Sequence, residues 1–167
     1  MWTTDRRRRP IVAVLGAILA LIALVGPAAA GPAKSVTIIS HVTFNPGDWN
    51  YGDFDASGAA ADGGLICAHG TFVDTNIEFH GYQSDRGVVQ LRVDKHFTCN
   101  TTLSGPNGTF DVKLQIQANI DTGIETFSWV VKGGTGDLSS LRGAGRGSTV
   151  LNPPTGNINT YEGMLTR

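Results

Sequence analysis

The stretch that decides the fold is residues 133–147, Gly-Gly-Thr-Gly-Asp-Leu-Ser-Ser-Leu-Arg-Gly-Ala-Gly-Arg-Gly. Glycine at this density is typical of a tight corner between strands, because it adopts backbone angles that other residues avoid. Alternation predicts a strand on each side, with one face formed by Glu125, Phe127, Trp129 and Val131 before the stretch and by Thr149 and Leu151 after it. The sequence therefore predicts a loop between two strands of one sheet, with its corner at Gly133, Gly134, Gly136, Gly143 and Gly145. Of these, Gly136 and Gly143 are expected to be needed for its backbone geometry.

The rest of the chain shows the same period of two. Strands are predicted at residues 36–44, 49–54, 71–82, 89–97, 110–118, 124–132, 146–151 and 160–165. Residues 57–64 are predicted to form a loop, and no segment after residue 30 has a helical period, so little helix is expected. Eight short strands with evenly spaced turns indicate an antiparallel sandwich or a closed barrel. We favour the barrel, because closure removes exposed strand edges.

The glycine-rich corner resembles the Gly-Gly-Thr-Gly…Leu…Arg-Gly-x-Gly turn of proteins with the allene oxide cyclase and dirigent type of β-barrel. The Trp129 strand and the cysteine-containing segment 63–70 are similar to small exported bacterial proteins of that superfamily, and the resemblance spans residues 52–163. It implies an all-β, antiparallel eight-stranded barrel, allene-oxide-cyclase-like or lipocalin-like, whose interior holds a small apolar molecule. No catalytic residue of the plant cyclase matches a position here, so the resemblance assigns none.

The first 30 residues have the pattern of a secretory signal peptide. Arginines at 6–9 precede an apolar run at 11–25, and small residues at 28–30 offer a cleavage site. The alternative, a membrane anchor, needs about 18 to 20 apolar residues, and this run is broken by Gly26 and Pro27. We therefore expect a secreted protein with a single domain over residues 31–167 and no membrane attachment after cleavage.

The charge of residues 31–167 narrows the range of partners. This segment has 9 basic and 13 acidic side chains, a formal charge of −4. A chain that binds nucleic acid usually has a basic surface, so no nucleic-acid partner is expected.

The two cysteines, Cys67 and Cys99, are expected to form one disulfide, because an exported chain meets an oxidising environment. A reactive catalytic thiol is the alternative interpretation. A Cα–Cα distance above about 7 Å would exclude the bond.

Two charged residues fall on strand faces that are otherwise apolar. Lys95 lies between Val93 and Phe97, and Glu125 shares a face with Trp129. Either each side chain reaches water at the barrel rim, or it is held in a dry interior, where a perturbed pKa makes an acid or base catalyst. Lys95 and Glu125 are therefore the candidate catalytic residues, although no motif in the chain specifies a reaction.

Aromatic residues suggest a ligand pocket. Those that either line or fill the barrel are Trp49, Tyr51, Tyr82, Phe127 and Trp129. The first functional hypothesis is a binding module that takes a small apolar ligand or a partner at the barrel mouth. The second is a cofactor-independent isomerase or cyclase, and the third is a structural protein with a filled barrel. No cofactor is expected under any of them.

Neither the histidines nor the Gly134-Thr135-Gly136 sequence predicts a cofactor site. Histidines occur at 41, 69, 80 and 96, without a short metal-ligand spacing, so no metal is expected and exposed side chains are the simpler interpretation. A dinucleotide loop needs a further glycine where Ser139 stands.

Overall fold

The computed structural model describes residues 31–99, 105–152 and 155–167, so the predicted signal peptide lies outside the described residues. The strands are β1 (Lys34–Thr43), β2 (Tyr51–Ser57), β3 (His69–Gln83), β4 (Val88–Cys99), β5 (Gly108–Asn119), β6 (Ile124–Gly134), β7 (Arg142–Asn152) and β8 (Gly156–Thr166). One helical turn, α1 (Ala59–Asp62), follows β2, and a 3₁₀ turn (Gly136–Leu138) follows β6. The expectation of little helix is confirmed for this part of the chain.

The eight strands form one closed antiparallel barrel. Each strand pairs with the next along the chain, and β8 pairs with β1, so that Ile38 lies beside Ala56 on one side and Tyr161 on the other. The predicted all-β, eight-stranded barrel is thus confirmed. No helix among the described residues is long and apolar enough to span a membrane.

Aromatic rings fill the middle of the barrel. Phe97 and Phe110 stack with centroids 4.8 Å apart, and the edge of Phe54 meets Phe97 at 5.2 Å. Tyr161 makes edge contacts with Phe97 and, at 4.9 Å, with Phe127. These rings are buried, and an eight-stranded barrel is narrow enough for side chains to fill it.

One end of the barrel is closed by apolar side chains. Ala60 and Ile66 from the β2–β3 connection and Leu138 and Leu141 from the β6–β7 connection are all fully buried there. The predicted Cys67–Cys99 disulfide is present, with the Cα atoms 5.7 Å apart, and ties the β2–β3 connection to the end of β4. Closing a loop of this length contributes about 3 to 4 kcal/mol in the chain-entropy model.

The glycine-rich stretch joins β6 to its neighbour β7, as predicted, but most of its glycines lie inside the strands. Gly136 has a φ of +56°, in the left-handed region that favours glycine, whereas φ of Gly143 is not positive. Gly143 is needed for a different reason, because a Cβ there would overlap Leu165 and the carbonyl of Met164. Strand β7 thus includes these glycines and begins at Arg142, earlier than its predicted start at residue 146.

A β-bulge between Asp74 and Asn76 changes which face the β3 side chains occupy. The simple alternation puts Val73, Ile77 and Phe79 on one apolar face, opposite Asp74. In the structure the extra residue reverses the alternation, so Asp74 faces the interior while Val73 does not. Beyond the bulge Ile77 and Phe79 lie opposite the inner-facing Val93 and Leu91.

Candidate functional site

A cluster of polar side chains lies inside the barrel, at the end opposite the apolar closure. That end, which we call the mouth, is formed by the β1–β2, β3–β4, β5–β6 and β7–β8 connections. The interior polar cluster consists of Ser40, Asp74, Lys95, Glu125, Thr149, Asn159 and Tyr161, of which all but Glu125 are buried. Four of its members lie side by side on neighbouring strands, namely Ser40, Asn159, Thr149 and Glu125. Burying a polar group in a barrel interior costs free energy unless the group is hydrogen-bonded or paired with an opposite charge. The contacts of each of these side chains therefore bear on function.

Lys95 and Asp74 form a buried ion pair between β4 and β3. Both side chains are 3% exposed, and the Lys95 Nζ donates to Asp74 Oδ1. Asp74 Oδ2 accepts a second hydrogen bond from Asn50 Nδ2 at 3.2 Å, and its backbone N–H donates to the Asn50 carbonyl at 2.8 Å. Lys95 Nζ also lies 4.5 Å from the centre of the Phe72 ring. The pair is therefore fixed in position by the β1–β2 connection at the mouth.

Burial lowers the pKa of Lys95 below its ordinary value. Removal from water is the largest cause, and the negative charges of Asp74 and, more weakly, Glu125 oppose it. Lys95 thus combines a dry environment with a nearby carboxylate, which is the arrangement that brings a lysine closer to proton-transfer chemistry. Of the two interpretations of Lys95, the one in which it reaches water at the rim is wrong, because its side chain is 3% exposed and lies inside the barrel.

Glu125 begins a second polar chain on the opposite wall. It is the second residue of β6 and is half-buried. Thr149 Oγ1 donates to Glu125 Oε1 at 2.6 Å and lies 3.0 Å from Asn159 Oδ1. The Glu125 carboxylate is thereby held at the mouth, where it contacts both water and the interior.

Two buried hydroxyl groups in the cluster are left without a well-aligned hydrogen bond. Neither Ser40 Oγ nor Tyr161 Oη meets full hydrogen-bond geometry with another described residue, and the same is true of Asn157 Oδ1 nearer the mouth. Burial raises the pKa of the Tyr161 phenol, and hydrogen-bonding contacts with Ser40 and Asn159 offset only part of that effect. The phenol therefore stays protonated and can donate to a better-placed acceptor. Unpaired buried polar groups cost about 1 to 3 kcal/mol each, which a ligand that pairs them would recover.

Apolar side chains surround the mouth above the polar cluster. The β3–β4 hairpin extends past the end of β2, and the inner face of this extension exposes Ile77 and Phe79, which is 65% exposed. Leu91 and Ile116 continue that face onto β4 and β5, and Leu151 lies across the mouth on β7. The site thus has apolar walls and a polar floor.

The predicted pocket aromatics lie in three different places. Phe127 and Trp129 face the interior and are buried, but they belong to the packed core beneath the polar cluster. Trp49 and Tyr51 do not line the interior: Trp49 is exposed in the β1–β2 connection, and Tyr51 lies on the outer face because Gly52 and Phe54 occupy the inner one. Tyr82 lies opposite Val89 on the hairpin extension and is half exposed.

All four histidines have exposed side chains next to a carboxylate. His41 pairs with Asp53, His69 with Asp55, His80 with Glu78 and His96 with Asp111. The His41 and His69 pairs are neighbours on the outer face of β2, and the histidines of the other two pairs lie on β3 and β4. The histidines are therefore not brought together into one site.

Sequence reasoning found Lys95 and Glu125 but missed the other members of the cluster. Asp74 was hidden by the bulge, which the local alternation does not reveal. Ser40, Asn159 and Tyr161 lie on strands with weak or mixed alternation, and their proximity depends on β1 pairing with β8 at the two ends of the barrel sequence. The available signal was the run of polar residues at inner positions of adjacent strands.

No protein-family model matches the chain, and no match is found among curated proteins. The class defined by the fold and the site is a closed eight-stranded antiparallel barrel with an interior polar cluster at its mouth.

Proposed function

We propose that this protein is a secreted binding module that takes a small, largely apolar ligand with one polar end into the mouth of the barrel. The observation that carries the proposal is the pair of buried, incompletely hydrogen-bonded hydroxyls of Ser40 and Tyr161 beneath an apolar rim. Such an arrangement is typical of small-molecule sites, in which apolar walls supply affinity and a few polar groups fix orientation.

The polar floor selects the ligand's polar end. Tyr161 offers a neutral donor and Asn157 an acceptor, while the Lys95 ammonium is already paired with Asp74. A carbonyl or carboxyl oxygen would accept a hydrogen bond from the Tyr161 phenol. The floor therefore favours a fatty acid, ketone or ester over a plain hydrocarbon.

Export supports a binding role outside the cell. The signal-peptide pattern of residues 1–30 and the Cys67–Cys99 disulfide both suit an oxidising compartment. The resemblance to allene oxide cyclase and dirigent-type barrels adds a fold-level analogy, which bears on function only weakly.

A dansyl-labelled undecanoic acid is expected to bind saturably, with increased dansyl fluorescence. Phe79→Ser should weaken its binding about tenfold, because it removes an apolar wall.

Tyr161→Phe should weaken binding of the acid about three- to tenfold without weakening that of the matching hydrocarbon probe, because only the hydroxyl is lost. Native mass spectrometry of the purified protein is expected to show a co-purified small molecule.

Val150→Ser is the matched control for the wall variant, since Val150 is also 65% exposed but lies on the outer face of β7. It should leave the affinity unchanged. An equal loss in the Val150 and Phe79 variants, or no saturable binding by wild-type protein, would contradict the proposal.

The second candidate function is a cofactor-independent isomerase or cyclase acting on an apolar substrate in the same site. The specific support is that Glu125 and Lys95, the expected acid and base, act electrostatically on one another inside the barrel and that the pKa of Lys95 is lowered. An enzyme of this kind should exchange a substrate C–H proton with solvent.

Incubation of the co-purified ligand with protein in deuterated water should then incorporate deuterium, and Glu125→Gln should abolish this while probe binding persists. Deuterium incorporation at the uncatalysed rate would rule out the isomerase or cyclase, and the binding module would be the remaining function.

A further inference from the structure

A second concave surface lies on the outside of the barrel, across β4, β5, β6 and β7. This outer groove has a volume of about 760 Å³. One row of outward side chains along it is Arg92, Gln115, Ser128 and Arg146, and the next row is Gln90, Gln117 and Thr126. Its size is that of a small-molecule site, and it lies on the face of the sheet opposite the interior.

The two arginines stand at opposite ends of one row. Three strand spacings separate them, which is roughly 14 Å. Arg92 Nη1 reaches Glu78 Oε2 only at 3.5 Å, and its Nε is buried without a partner. The guanidinium of Arg146 has no hydrogen bond or ion pair among the described residues. The groove thus offers two incompletely paired cations, although residues 31–167 have a net negative charge.

The groove between the arginines is neutral and polar. Side chains there that make no hydrogen bond within the described part of the chain are Gln90, Gln115, Gln117, Thr126 and Ser128. Amides donate and accept at once, and hydroxyls do the same. Among the described residues that line the groove, none is a carboxylate, but Glu78 and Glu162 lie at its two ends, opposite Arg92 and Arg146. The lining also includes the His80 imidazole, which contacts Glu78, and Phe127, whose ring is buried on the inner face.

We propose that the outer groove binds an acidic oligosaccharide. Guanidinium groups bind carboxylates or sulfates through paired charge-assisted hydrogen bonds, so the two arginines would hold two acidic groups. Neighbouring strands are about 4.8 Å apart, close to the length of one sugar in a chain, so successive sugars would meet successive amides and hydroxyls. An apolar ligand would leave all of these groups unpaired.

The position of Arg146 in the groove is fixed by the core. The indole Nε1 of Trp129 donates to the Arg146 carbonyl at 3.1 Å from the other side of the sheet. The backbone that presents the guanidinium is therefore rigid, which reduces the conformational cost of binding.

Calorimetric titration with a uronic-acid tetramer tests the proposal, alongside a neutral tetramer of the same linkage and poly-glutamate. We expect saturable binding of the acidic tetramer that weakens at high salt and is at least tenfold tighter than that of the neutral one. Arg146→Gln should weaken it by about tenfold or more, and Arg146→Lys should restore part of the loss, because the charge returns without the planar geometry.

Arg142→Gln is the matched control, since Arg142 is an exposed arginine on the same strand and face but outside the groove. It should change the affinity by less than about twofold. Equal losses in the Arg142 and Arg146 variants, equal affinity for the neutral tetramer, or no binding at millimolar concentration would each overturn the proposal. Tighter binding of poly-glutamate would replace it with an acidic-peptide surface. Probe binding at the mouth is a separate measurement and is unaffected by any of these results.

Discussion

Lys95→Met is expected to destabilise the protein by about 3 to 5 kcal/mol, as measured by urea unfolding at neutral pH. The substitution keeps the length and apolar stem of the side chain but leaves the Asp74 carboxylate buried without its cation, and such uncompensated charges are strongly destabilising. Asn50 Nδ2 remains as a donor to Asp74 Oδ2, but one neutral hydrogen bond does not replace an ammonium.

The double variant Lys95→Met with Asp74→Leu should recover most of this loss, because an apolar pair of similar volume is often as stable as a buried ion pair. Lys113→Met is the control on the neighbouring strand. Lys113 pairs with Asp94 at 3.4 Å, and both side chains are partly exposed, so this change should cost less than about 1 kcal/mol. Equal effects of the Lys95 and Lys113 variants would mean that the interior pair is hydrated.

The strands were predictable wherever local alternation and burial agree. Val112 and Leu114 alternate with Asp111 and Lys113, and β5 has buried and exposed residues at those same positions. The barrel followed from the number of such strands and their turns. Gly143 and Gly145 were predicted to form a corner but lie in β7. A Cβ at either position would overlap β8, at the Met164 carbonyl and the Glu162 carbonyl respectively, so glycine is needed inside the strand.

The candidate site was harder to predict, because its geometry depends on contacts between distant parts of the chain. Lys95 stood out as a charge on an apolar face, but its partner Asp74 is 21 residues away and is turned inward by the bulge. Tyr51 was misplaced by a local error. The strand alternation is correct, but its inner face carries Gly52 and its outer face carries Tyr51. A single residue of register decides which face is buried.

Trp129→Ala is expected to destabilise the barrel by about 3 to 5 kcal/mol, the usual cost of removing a buried aromatic side chain. Trp129 is 3% exposed, its ring edge meets Tyr161 at 6.3 Å, and it lies against Gly163 so closely that a Cβ there would touch the indole. The surrounding β-barrel closes on itself and cannot collapse into the space. The substitution also removes the hydrogen bond from the Trp129 indole to the Arg146 carbonyl.

Trp49→Ala is the control, because Trp49 is 44% exposed in the β1–β2 connection and should contribute less than about 1 kcal/mol. Circular dichroism is the suitable signal, since both variants remove a fluorophore. Trp129→Phe should fall between the two, because it keeps part of the ring. If Trp129→Ala instead has the wild-type urea midpoint of unfolding but no longer binds the dansyl-labelled acid, Trp129 lines an open cavity. The aromatic rings in the middle of the barrel are then part of the ligand site. Loss of stability without a change in the affinity of the remaining folded protein assigns Trp129 to the core and places the binding site above it, at the interior polar cluster.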